Sequence, residues 1–231
     1  MDFDLAIRIT EIILALAFMQ ASAEHLSGPK DRACVKDRWL FVPRIFLCLL
    51  LLAGYQTPWV CAGLVALSVL ILQRYQGPYN GGSDRMGLLV LSCLTLVHVL
   101  PSQLLQELAF GYLGLQLVLS YFMSGWVKIV NADWRNGRAL GDVFAFSAYP
   151  VSEHVRNWAR YPLLLRVMSW AVMGFELIFP LCLLHHAALV AGLLVAASFH
   201  LANAFLFGLN RFFWIWLAAY PSILWLQDRL F

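Results

Sequence analysis

Charge is scarce in this sequence. Asp, Glu, Lys and Arg together make up 13% of its 231 residues, where a soluble domain carries about 25%. So few charges cannot cover a water-exposed surface, which excludes an ordinary soluble globular chain. The net charge is only +3, too small an excess to grip nucleic acid through its phosphates. Cysteine is sparse as well. Cys34, Cys48, Cys61, Cys93 and Cys182 form no C-x-x-C pair, so a dithiol redox motif or a zinc site is not indicated. Most of them read as small packing residues in helices. Internal repeats are lacking, including the inverted repeat of broken helices common in transporters. No stretch is long and polar enough to form a separate soluble domain.

What the sequence does have is long apolar runs. Apolar residues reach 61%, and the mean hydropathy is +0.74. Runs of about 20 residues match the hydrocarbon core of a bilayer. In lipid each run must satisfy its own backbone hydrogen bonds, so each should be an α-helix. The fold class expected is therefore all-α, a polytopic membrane helix bundle in which residues 1–231 form one transmembrane domain. Eight spans are read, at 4–22, 39–56, 58–74, 86–105, 107–129, 161–184, 187–208 and 210–228. The run Ile12–Phe18 before Ala21-Ser22-Ala23 imitates a signal peptide, but Asp2, Asp4, Arg8 and Glu11 do not suit one. Residues 130–160 mix Trp134, Trp158, Phe144 and Phe146 with arginines, which suits a segment in the headgroup region. Basic residues gather after spans one, five and seven and around the third loop. The positive-inside rule makes that side cytoplasmic, with both termini outside.

Polar groups inside the spans are the candidates for function, because a charge at the bilayer centre costs about 3 kcal/mol or more. Arg8 and Glu11 are three residues apart and share a helix face, so they are expected to pair with each other or with a neighbouring helix. Arg44 and Arg166 lie near span ends, where they can snorkel. Glu176 sits in mid-span and must be protonated or meet a cation from another helix. His200 and Asn203 are three apart on one face and can orient a ligand. Lys128 ends a run of apolar and small residues; burial disfavours the charged form of a lysine, which suits a base. The segment Asn80-Gly81-Gly82-Ser83-Asp84 reads as a turn whose Ser83 or Asp84 caps the next helix, with glycines that let a ligand approach the backbone.

The stretch Tyr121-Phe122-Met123-Ser124-Gly125-Trp126-Val127-Lys128, followed by Asp133-Trp134 and Gly137, resembles the signature of vitamin K-dependent γ-carboxylases. It is also similar to that of the wider bacterial HTTM (horizontally transferred transmembrane) family. Phe199-His200-x-x-Asn203, then Leu206-Phe207 and Phe213, resembles a late helix of the same family. The Asn80–Ser83 stretch resembles, more weakly, the carboxylase Asn-Asn-His element, with Gly82 standing where that histidine falls.

The resemblance implies a catalytic role for Lys128 as base and for His200. It implies ligand or cofactor contacts from Asn80, Gly81, Gly82, Asp84, Glu176 and Asn203, with a quinone or similar lipid-soluble molecule as cofactor. The missing histidine, and a chain ending at Phe231 without a large lumenal domain, make vitamin K-dependent glutamate carboxylation itself not expected. The alternative implied is a non-catalytic accessory subunit in peptide maturation or export, or in assembly of a membrane complex. Expected partners are the lipid bilayer, a lipophilic small molecule or peptide, and another membrane subunit, but no nucleic acid. The expected location is a bacterial inner membrane.

Overall fold

A computed structural model describes residues 1–27, 39–74, 81–147 and 152–231. Every one of the eight apolar segments is helical. The helices are α1 Phe3–Ser27, α2 Phe41–Ala53, α3 Thr57–Arg74, α4 Gly81–Val99 and α5 Gln103–Val130, then short α6 Ala132–Arg135, α7 Arg138–Phe146 and α8 Glu153–Arg156. A 3₁₀ turn, Asn157–Arg160, leads into α9 Pro162–Ile178, which tightens into a second 3₁₀ segment, Phe179–Leu184. The chain ends with α10 His186–Phe207 and α11 Asn210–Leu230. No strand occurs among the described residues.

Among the described residues, six of these helical segments are by length and composition long and apolar enough to cross a membrane. The other two fall short for different reasons. At 13 residues, α2 is about 20 Å long, less than the roughly 30 Å hydrocarbon core. The 21 residues of α11 suffice in length, but Asn210, Arg211 and Gln227-Asp228-Arg229 lower its hydropathy. One correction concerns α4. It starts at Gly81, so Gly82, Ser83 and Asp84 form its first turn and not a preceding loop. Asp84 there complements the positive end of the helix dipole. Asn80 lies outside the described residues. The helix stops at Val99 because Leu100 precedes Pro101, whose ring disfavours the helical conformation one residue earlier.

The chain divides into two compact units, Met1–Gly114 with Trp214–Leu230, and Leu115–Phe213. In the first, α1 packs on α2 and α4, α2 on α3, and α3 on α4. Phe3, Phe110 and Trp225 form an aromatic trio with centroids 5.0–5.7 Å apart. A Cβ on Gly114 would lie 3.0 Å from the carbonyl oxygen of Ser222, so glycine there lets α5 and α11 approach backbone to backbone. Arg44 does not snorkel. It is buried, donates through Nε to Ser22 Oγ at 2.7 Å, and lies over the rings of Phe18 and Phe41.

Arg8 and Glu11 do pair, at 2.7 Å. Arg8 also reaches the end of α2, donating to the carbonyls of Leu51 (2.8 Å) and Leu52. Those carbonyls belong to the last turn, which has no intrahelical partners. The arginine therefore caps α2 with a positive charge at the negative end of its dipole. Gly54, at φ 70°, completes the cap, its N–H reaching Leu51 O. We expect Arg8→Met to lower the unfolding free energy in detergent by about 2 kcal/mol. A variant as stable as its parent to denaturant would show that the cap contributes nothing.

In the second unit, Phe144, Leu165 and Phe207 form a buried cluster that gathers Leu140, Trp158 and Met168 around it. The described part of the 130–160 segment is thus anchored by the apolar face of α7. Trp170 adds a hydrogen bond from its indole to Arg135 O at 3.1 Å.

Candidate functional site

The buried face of α9 is Leu165, Ser169, Met173 and Glu176, a spacing of three to four residues that keeps one stripe inward. Glu176 meets a cation from another helix, as one of its two alternatives required. Lys128 Nζ lies 2.6 Å from both Oε1 and Oε2 of Glu176 and 2.7 Å from Ser124 Oγ one turn earlier on α5. These contacts use all three N–H of an ammonium. The Trp134 ring lies beside it, 5.4 Å from Nζ to the centroid, where an aromatic face attracts a cation. The glutamate side chain is 4% exposed and the lysine 16%, so the pair is largely withdrawn from solvent.

Gly125 explains why the two helices come this close. A Cβ there would stand 3.0 Å from Glu176 Cβ, Leu177 Cγ and the Leu177 backbone nitrogen. Small residues at such a contact let membrane helices approach closely. About one turn beyond Glu176, Pro180 lacks the N–H that would bond the carbonyl of Glu176, and the helix tightens to 3₁₀ from Phe179.

His200 lies on α10, buried, with Nε2 2.9 Å from the hydroxyl of Tyr121 on α5. Tyr121 in turn packs against Phe179 at 4.3 Å and Phe175 at 6.1 Å. Tyr121, Gly125 and Lys128 are spaced by four and three, so one face of α5 meets both partner helices. Asn203 lies one turn past His200, half-buried, and its side chain has no hydrogen-bond partner among the described residues. The Ser169 hydroxyl is buried without a partner on the same face as Glu176. Lys128, Glu176, His200 and Asn203 all belong to the second unit, whereas Gly81, Gly82 and Asp84 belong to the first. No group of three or more metal-binding side chains occurs among the described residues.

The HTTM domain, as a family model, matches residues 101–227, more than half of the chain. The chain belongs to the HTTM family. No curated protein and no solved structure matches it. The HTTM match contains both strong motifs and every residue of the Lys128–Glu176 and Tyr121–His200 pairs. Gly82 and Asp84 fall before it.

Tyr121, Ser124, Gly125 and Trp134 stand in the sequence motif but carry no assignment from sequence. Their signal was available in part. Ser124 is four residues before Lys128, and Tyr121 and Gly125 lie on the lysine's face. That Tyr121 reaches His200, 79 positions away, is not encoded in any local pattern.

Proposed function

We propose that this HTTM protein is an integral protein of a bacterial inner membrane that binds a lipid-soluble molecule of the quinone class at the α5–α9–α10 face. The Lys128–Glu176 pair would be its proton-exchanging element. The observation that carries the reading is the pair itself. A lysine and a glutamate inside apolar spans are costly, and a well-packed apolar pair of the same volume is often as stable or more so. Retaining charge there is best explained by use.

Two polar groups of the same unit support a ligand, the unpartnered Ser169 hydroxyl two turns before Glu176 on α9 and the Asn203 amide on α10. A quinone supplies ring carbonyls that accept hydrogen bonds and, when reduced, hydroxyls that donate them. Asn203 and Ser169 can donate to such carbonyls. The Tyr121 hydroxyl holds the His200 ring in place through Nε2, and can do so as donor or acceptor. With its three N–H spent, Lys128 exchanges a proton through Glu176 and not as an isolated amine. The working unit is then the ion pair, and Trp134 and Ser124 keep the ammonium in place.

The test is purification in mild detergent followed by organic extraction. Parent protein should carry a quinone-class molecule in near-stoichiometric amount, and Lys128→Ala should lose most of it while remaining folded by circular dichroism. Unchanged ligand content in Lys128→Ala would sink the assignment. Stoichiometric co-purification of another membrane protein, without a quinone, would support the accessory-subunit role instead.

A further inference from the structure

A polar cavity lies in the first unit, and none of its lining residues belongs to the proposed quinone site. It measures about 380 Å³ and its polar wall is Asp4, Arg8, Glu11, Thr57, His98 and Gln106. Its floor is an ionic triad. Glu11 accepts from Arg8 on one oxygen and lies 2.5 Å from His98 Nε2 on the other. Each oxygen of Glu11 thereby has a partner. The other groups are not fully partnered, and they separate by sign.

Arg8 has five N–H donors. Two on Nη1 go to Glu11 and Leu51, and one on Nη2 goes to Leu52, so Nε–H and the second Nη2–H remain. Asp4 is exposed and has no partner among the described residues. It is four residues from Arg8 on the same helix, the spacing at which an acid and a base ordinarily pair. Instead both line the cavity. Gln106 donates its amide to Leu100 O at 2.8 Å, which leaves its carbonyl oxygen as an acceptor. The remaining wall includes Phe3, Ile7 and Val97, all apolar.

We infer that this cavity binds a zwitterion that carries a primary ammonium and an anionic phosphate, the headgroup chemistry of phosphatidylethanolamine. The ammonium meets the Asp4 carboxylate and the Gln106 carbonyl. The phosphate meets the unspent N–H groups of Arg8, a residue type suited to phosphate by its planar fork. Phe3, Ile7 and Val97 offer the apolar flank that an acylated ligand needs where the headgroup joins its chains. The same chemistry could come from a free phosphoethanolamine ester, and the experiment separates the two sources.

The full chain, purified in mild detergent, would be titrated with phosphatidylethanolamine, phosphatidylglycerol, phosphatidylcholine and glycerophosphoethanolamine, with retention read by native mass spectrometry. Phosphatidylethanolamine should be retained over phosphatidylglycerol, which lacks the ammonium, and over phosphatidylcholine, whose ammonium has no N–H. Asp4→Asn should weaken phosphatidylethanolamine about fivefold and leave phosphatidylglycerol unchanged; Asp4 has no side-chain partner among the described residues, and its place in the first turn of α1 is worth at most about 1 kcal/mol, so the variant stays folded. Glycerophosphoethanolamine binding as well as the lipid would assign the zwitterion to a soluble source. Equal retention of all three lipids, or an Asp4→Asn variant indistinguishable from parent, would overturn the site.

Discussion

Glu176→Gln will destabilise the second unit by about 3 kcal/mol or more, the cost of leaving one partner of a buried ion pair without its counter-charge. The glutamine keeps the shape and one acceptor, but it cannot neutralise Lys128, whose other contacts are the Ser124 hydroxyl and the Trp134 face. The same logic predicts that the double change Lys128→Met with Glu176→Leu restores most of the stability, because both charges go and the volume stays. Thermal and denaturant unfolding in detergent, run as a double-mutant cycle, would show this as strong coupling between the two positions. Independent, additive effects would mean that the pair is a surface contact of little weight. The cycle also bears on function. If the double variant is stable yet loses its ligand, the charges serve binding and not the fold.

Gly137→Ala will be almost as damaging, for reasons of backbone geometry. Gly137 stands at φ 85°, where an L side chain is strained. The added Cβ would also fall 2.7 Å from the backbone nitrogen of Arg166 and 3.0 Å from its Cα. Neither atom is the end of a flexible side chain that could step aside. Either α7 or the start of α9 must shift, and the Phe144–Leu165–Phe207 cluster depends on both. A loss of about 3 kcal/mol is expected, at the upper end for an overpacked site, seen as a lowered unfolding midpoint and as protease sensitivity between residues 130 and 165. The same change at Gly174, whose Cβ would meet nothing within 4 Å, should be nearly neutral and serves as the control. If both variants unfold alike, the close approach at Gly137 is not what holds α7 to α9.

Sequence alone determined the solvent of this protein and the helical state of its long apolar segments. Hydropathy carries that information locally, since about 20 apolar residues in a row have no stable exposed form in water. It also marked Lys128, Glu176 and His200, because polar groups in such runs are rare enough to stand out. The family motif added Trp134 and Gly137 but gave no reason for them. Only the tertiary structure supplied one, with Trp134 beside the Lys128 ammonium and Gly137 against the backbone of Arg166. Tertiary structure also decided partners. Glu176 finds Lys128 across 48 positions, Glu11 finds His98 across 87, and Arg44 turns inward to Ser22 where a reading of its position near a span end sent it to the interface. The physical reason is the same in each case. Burial is a property of one residue and can be read from its neighbours in sequence, whereas an ion pair needs two backbones brought together, and that depends on glycines such as Gly125 whose effect appears only when a second helix is in place.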